Sequence, residues 1–452
     1  MAGSCDLSVH LPKLDEFLQT EPVASSDLLD YFYAGAKPRA AWRVGAEFEK
    51  FAIERRTGRH LTYGEPGGIC SILNSLVERF HWEPHFEGEH LTTLSRAGSM
   101  ISLEPGGQIE FSTAPLQTIS ELNSALENHR REIRAVTDSD SVAWIASGVS
   151  PFQSADDIAL GVRPRHRLMA EYLPSRCPMA LPMMKATAST QVTFDYACEA
   201  DAMRKFQVAL KLSPIINAIW ANSSHYAGRS TGFASYRSQI WLGMDPDRSG
   251  LLTDFLNSGP SFEQWVQYLL AVPMLFVNHH GQYRAADGMT FQEFILHGHD
   301  GRFPTIADWE MHITTVFPEV RLKQFLEVRG ADANGPALAL AVPAFWKGLL
   351  YDDESLTEAA ELCEGFLPDE LPALFAQTSR TGLATPFAGT TVLNVAILCV
   401  DMAARGLARQ GEPDAVRYLD PVLEILRTGL SPGSKMRSQT LSHSELVHAF
   451  EY

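Results

Sequence analysis

The chain is 452 residues long, ample for a large buried core, and carries a formal charge of −17 at pH 7. That balance excludes nucleic acid as a partner, because a phosphate backbone requires a basic footprint. No apolar run approaches the ~18–20 residues of a membrane helix, so no membrane partner is expected either.

The N-terminus, MAGSCDLSVHLPKLDEF, has no secretion signal and lacks the Arg/Ser-rich, acid-poor character of a transit peptide, so a cytoplasmic location is expected. Residues 9–36 read as two helical segments, the second opening at Ser25-Ser26-Asp27, a plausible N-cap cluster. A strand over 42–55 follows and turns at Thr57-Gly58, then a helix near 68–80 and a pair of strands over 99–112. Residues 118–137 carry Ile119, Leu122, Leu126, Ile133 and Val136 at helical spacing, fit to cover one face of a sheet. Short strands are predicted near 142–148 and 188–196, helix over 200–223, a Gly/Ser/Asn/Tyr loop over 222–236, and a mostly helical last third. The irregular strand spacing and tight turns argue for α+β with an antiparallel sheet. No linker or charge block divides the chain. One unit over 1–452 is expected, with a helical extension (1–40) and a mostly helical C-terminal part (335–452).

Three strand-like segments carry chemistry. In Val44-Gly45-Ala46-Glu47-Phe48-Glu49, strand alternation puts Val44, Ala46 and Phe48 on one face and Glu47 and Glu49 on the other. Such i, i+2 neighbours stand roughly 6–7 Å apart, a separation suited to one shared cation or a pair; a solvent-facing edge strand is the plainer alternative. In Ile101-Ser102-Leu103-Glu104-Pro105-Gly106-Gly107-Gln108-Ile109-Glu110-Phe111-Ser112, Pro-Gly-Gly marks a turn, after which Gln108, Glu110 and Ser112 share a face. In Phe325 to Asp332, Glu327 and Arg329 share one. Hard cations such as Mg²⁺ take oxygen ligands and leave room for phosphates, and arginine is a natural fork for phosphate.

These blocks resemble those of the glutamate–cysteine ligase family of plants and many bacteria. The matching text is VGAEFEKF (44–51), ISLEPGGQIEFS (101–112), SYRSQIW (235–241), DPDRSG (245–250), PTIADWEMHITTVFPEVRLKQFLEVRGAD (304–332), PAFWKGLLYDD (343–353) and TGLATPF (381–387), in the family's order. The resemblance implies a glutamine-synthetase-like fold, with a curved, mainly antiparallel sheet forming a funnel and helices outside. It implies ATP-driven joining of the glutamate γ-carboxylate to the cysteine amine through an acyl phosphate, with two or three Mg²⁺ ions; a monomer or homodimer is expected. It assigns metal binding to Glu47, Glu49, Glu104, Glu110 and Glu327, and contact with the transferring phosphate to Arg329 and Arg165. Arg237 falls to the glutamate α-carboxylate, and Gln191, at a strand position beside the site, to substrate binding. A solvated loop remains the alternative for Arg165, and a turn-stabilising ion pair for Arg248.

The chain departs from the family text where Pro273 to His279 read PMLFVNH in place of PMYFVYR, and at Met184 to Ser189. A ligase using another amine is therefore the second reading, and a carboxylate-rich metal phosphatase or nuclease the third. No P-loop, GxGxxG, HExxH or GxSxG text is present. Six widely spaced cysteines (Cys5, Cys70, Cys177, Cys198, Cys363, Cys399) form no CxxC pair, which disfavours a disulfide framework or zinc site. The regulatory disulfide of the plant members finds no matching cysteines. His279-His280 is expected in a turn before Gly281. His312, Trp309 and Trp346 are read as structural.

Overall fold

The computed structural model describes residues 22–452 apart from Ser258 and His280. The first predicted helix, most of the expected extension, Cys5 and His280 lie outside the described residues. Nine strands form one open sheet: β1 (Val44–Glu54), β2 (Glu83–Glu87), β3 (His90–Arg96), β4 (Ser99–Leu103), β5 (Ile109–Ser112), β6 (Val142–Ile145), β7 (Ser189–Phe194), β8 (Val320–Leu322) and β9 (Leu326–Asp332). Their order is β8-β9-β7-β1-β5-β4-β3-β2, with β6 beside the second half of β1, and neighbours are antiparallel throughout. The α+β, antiparallel expectation holds.

Period-two alternation gives the sheet one apolar face. Val44, Ala46, Phe48 and Ala52 of β1, Ile109 and Phe111 of β5, Val192 and Phe194 of β7 and Leu326 and Val328 of β9 join a single core. The Ile119–Ala135, Glu199–Ile219, Pro336–Leu350 and Val392–Arg409 helices contribute to that core. The Ile119–Ala135 helix starts where its sequence says it should, with a reciprocal Thr118/Glu121 capping box satisfying two N-terminal donors.

Two elements differ from expectation. The β2–β3 hairpin was not predicted, because β2 (Glu83-Pro84-His85-Phe86-Glu87) is a largely exposed edge strand without apolar alternation. Proline is tolerated there because an edge strand leaves one row of N–H groups unpaired. The basic run at 163–167 is the start of a helix, Pro164–Tyr172, and not a loop; Pro164 in its first turn costs no hydrogen bond.

A one-residue bulge in β9, between Val328 and Ala331, shapes the neighbourhood of Arg329. Bulged residues lose their ladder partners, and here the carbonyls of Arg329 and Gly330 each accept from the Arg237 guanidinium at 3.0 Å. The backbone at Gly330 is so close to Asn217 and Glu319 that a Cβ would collide with both side chains. Gly330→Ala is expected to destabilise the fold by roughly 1–3 kcal/mol, as overpacked sites do. Urea unfolding measures that loss; a midpoint equal to the parent's would show that the bulge has room to relax.

Candidate active site

The other face of the sheet is polar, and strand register sets its layout. Glu49 of β1 stands opposite Glu110 of β5, while Glu47 lies between Ser112 of β5 and Gln191 of β7. Glu327 of β9 is opposite Thr193 of β7 on one side and Arg321 of β8 on the other. The sheet thus brings Glu47, Glu49, Glu110, Gln191, Glu327 and Arg329 onto one surface. Glu104 sits in the turn between β4 and β5, half-buried, within electrostatic reach of Glu49 and Glu110.

Charge divides these carboxylates into two groups. Glu49 accepts from the Ser189 amide at 2.6 Å and from the Gln191 side chain at 3.2 Å. Glu110 accepts from the Ser112 hydroxyl at 2.9 Å and from Ser102 at 3.3 Å. Neither is salt-bridged, and the Glu47 and Glu104 carboxylates make no hydrogen bond to another described residue. Burial, then repulsion from Glu110 and Glu327, pushes Glu47 up to about 8. Burial with Glu104 raises Glu49 to about 7, and burial with Glu104 and Glu49 raises Glu110 to about 8.

Glu327 is the opposite case. Arg321 Nε reaches it at 2.6 Å, Arg329 Nη1 at 3.2 Å and Lys323 Nζ at 3.3 Å. Burial works against its charge, yet these three cations hold the carboxyl well below the ordinary range. Gln191 links the two groups, since its amide nitrogen bonds Glu49 and its oxygen accepts from Arg329 Nη1.

Arg237 lies in the first turn of the Tyr236–Leu242 helix, whose Ser235 N-cap accepts from the Ser238 amide. Asp332 fixes this corner. It accepts from Ser223 and Ser235 and from the Asn222 amide at 2.7–3.0 Å, and stands 4.0 Å from Arg237. Two of the five guanidinium N–H groups bond the bulge carbonyls, while the buried Nε has no partner. One edge of the fork is therefore left for an acceptor. Arg165, half-buried in the Pro164–Tyr172 helix, makes no ion pair with a described residue, and the charges nearest it include Arg163 and Glu104. Arg163 is paired with Glu87 at 2.5 Å. Glu104, Arg163, His166 and Tyr63 line a partly enclosed cavity of about 120 Å³.

Sequence reading missed Arg321, Lys323, Glu319 and Asp332. Glu319, Arg321 and Lys323 repeat the period-two grammar of Glu327 and Arg329 and could have been found by it. Arg248 forms the turn-stabilising pair, with Asp245 at 2.9 Å in full burial. His312 bonds the Leu269 carbonyl at 2.8 Å, and Trp309 and Trp346 are core residues. His279 ends a strand rather than occupying a turn. Leu275 is packed with Met184 and Ile240, and the Asn278 side chain accepts from the Gly281 amide at 2.8 Å, so both substituted positions serve packing or a turn.

The glutamate–cysteine ligase family 2 model matches residues 43–451. The chain belongs to that family. It is 39% identical over 428 residues to the chloroplastic glutamate–cysteine ligase of Brassica juncea, covering 94% of this chain and 82% of that one. The chloroplastic enzyme of Arabidopsis thaliana is likewise 39% identical, over 94% and 81% of the two chains. A bifunctional glutathione synthetase from Pasteurella multocida shares the fold at a TM-score of 0.54 and 13% identity, over 90% of this chain and 51% of that one. The relatives correct one expectation. They are named as chloroplastic, so the cytoplasmic assignment falls. The composition of a folded enzyme does not report its compartment.

The raised carboxylates make a prediction for chelator-treated protein. A carboxyl whose folded pKa lies above its unfolded value favours the folded state when protonated; that stability is complete below about 4.5 and is lost as pH rises towards 7–8. Mg²⁺ should therefore raise Tm more at pH 8.5 than at pH 5.5. Equal shifts at both pH values, read by scanning calorimetry with and without chelator, would refute it.

Proposed function

We propose that this polar sheet face ligates the γ-carboxylate of glutamate to the amine of cysteine at the expense of ATP, giving γ-glutamylcysteine. The observation that supports this best is the set of half-buried carboxylates that make no salt bridge with a described residue. Glu47, Glu49, Glu104 and Glu110 offer hard oxygens, crowd one another electrostatically and suit Mg²⁺. Bound there, Mg²⁺ would neutralise phosphate charge. Glu327 belongs to the same ligand set, with Arg321, Lys323 and Arg329 already gathered around it.

The reaction has two displacements. A γ-carboxylate oxygen of glutamate attacks the terminal phosphorus of ATP and ADP leaves; the amine nitrogen of cysteine then attacks the acyl carbon, and phosphate leaves as the amine sheds a proton. Arg329 and Arg165 hold the transferring phosphoryl group, whose charge must be stabilised in line. Arg237 takes the α-carboxylate of glutamate through the unpaired edge of its guanidinium, while its other bonds keep that edge fixed to β9. Gln191 holds Arg329 and Glu49 in register. Leu275 and Asn278, being committed to packing and a turn, give no reason to replace cysteine by another amine.

Purified protein with ATP, Mg²⁺, glutamate and cysteine should release ADP and form the γ-linked dipeptide, identified by mass spectrometry; AMP release or an α-linked product would overturn the mechanism. Glu47→Gln and Glu49→Gln should each lower kcat by about 10²-fold or more, about 2.7 kcal/mol in the barrier. Near-parental rates in both would remove them from the metal set.

The two arginines should separate kinetically. Arg237→Ala should mainly raise KM for glutamate, and Arg329→Ala should mainly lower kcat, because its contacts strengthen as phosphoryl charge develops. Indistinguishable variants would reject the division.

A further inference from the structure

Away from the carboxylate face, a two-stranded hairpin pairs Phe276–His279 with Gln282–Ala285. Beside His279 stands a tight turn in which His299 and Arg302 exchange backbone hydrogen bonds at 2.8 and 3.1 Å. Asp300 and Gly301 both have positive φ, 49° and 80°, as a two-residue turn of this hand requires. Gly298 precedes it at φ 69°, and a Cβ there would lie 2.7 Å from the Arg302 carbonyl. The turn is thus a firm platform for His299 and Asp300.

Three donors meet at this place. His279 Nε2 is 3.1 Å from His299 Nδ1, and Asp300 Oδ2 is 4.0 Å from the same nitrogen. One ligand atom from each residue lies within 4.8 Å of the others. The imidazoles are half-buried and Asp300 is half exposed, so the group is open to solvent on one side. Arg284 bonds Asp300 Oδ2 at 2.6 Å, leaving Oδ1 with no hydrogen bond to a described residue. Arg302 is engaged elsewhere, with Asp308 and the Asn278 carbonyl.

We propose that His279, His299 and Asp300 form a second metal site, for a borderline divalent ion of the Zn²⁺ class. Two imidazoles and one carboxylate suit such an ion, with solvent completing the coordination, and do not suit Mg²⁺, which prefers oxygen. Zn–N bonds of about 2.0–2.1 Å place tetrahedral donor atoms roughly 3.3 Å apart. The two nitrogens, hydrogen-bonded to each other at 3.1 Å, are close to that spacing; the ion replaces the proton they share, and a small rotation of Asp300 supplies the third ligand. Its competitor, the Arg284 ion pair, is half exposed on both sides and therefore weak. Burial and the nearby Arg302 and Arg284 hold His279 below the ordinary histidine range. The ion ties the hairpin to the turn. That hairpin carries Tyr283, which lies within electrostatic reach of Arg165, so the clamp stiffens a wall near the substrate phosphate.

The test titrates Zn²⁺ into chelator-treated full-length protein by calorimetry, with millimolar Mg²⁺ present throughout to occupy the carboxylate face. One saturable Zn²⁺ per chain is expected. His279→Gln and His299→Gln should each weaken it by at least about tenfold, and Asp300→Asn, at an exposed position that leaves the fold intact, should weaken it as well. Hydrogen exchange over 276–285 should slow on Zn²⁺ addition in the parent and not in His299→Gln. Absence of a saturable site, or affinity unchanged in both His299→Gln and Asp300→Asn, would overturn the proposal. Neither result depends on the ligase reaction.

Discussion

Everything at the active face depends on carboxylates that the sheet forces together. Register places Glu49 directly across from Glu110, with Glu47 one row away and Glu104 in the adjoining turn. Like charges a few ångströms apart cost several kcal/mol at the effective dielectric of a protein surface. The protein supplies no lysine or arginine salt bridge to Glu47, Glu49 or Glu110 within the described residues. Lys323, Arg329, Arg237 and Lys50 act on these carboxylates only at longer range. Protons relieve the remaining repulsion, and on the proposed function divalent cations would do the same. A fold that keeps such a cost in its resting state is organised around a ligand rather than around its own stability.

Glu327 answers the same problem differently, and the contrast assigns work to each half of the face. Arg321, Lys323 and Arg329 surround it, so its charge is already balanced by side-chain cations that it holds in place. Gln191 stands at the boundary and bonds both halves. The β9 bulge then directs Arg329 and frees two carbonyls that fix Arg237. Arg237 is further placed by a capped helix and by Asp332, whose two oxygens hold Ser223, Ser235 and the Asn222 amide. Positive groups are thus set by backbone geometry, and negative groups by strand register.

Much of this was legible in the sequence because it obeys period two. Glu47 and Glu49 share a face in β1, Glu110 and Ser112 in β5, and Glu327 and Arg329 in β9, as alternation requires. The Pro105-Gly106-Gly107 turn joins β4 and β5 as its residues demand. What escaped lacks a local signal. Lys50 alternates onto the apolar face, where it is wholly buried and bonds the Phe48 carbonyl; no pattern announces a lysine there. The bulge in β9 packs Gly330 against Asn217, more than a hundred residues away. The helical setting of Arg165 was hidden because its basic, proline-led segment has almost no apolar periodicity.

The two metal-competent places also explain each other by chemistry. The sheet face offers only oxygen, in a rigid array matched to hard ions that travel with phosphate. The hairpin and turn offer two imidazoles and one carboxylate, a set hard ions do not favour. On the proposed function, Mg²⁺ held at the first would not compete for the second. The places are mechanically linked as well, since the hairpin strand that carries Tyr283 packs towards the helix that carries Arg165. An ion held at His279 and His299 would act on the neighbourhood of Arg165 through that wall, leaving the carboxylates untouched.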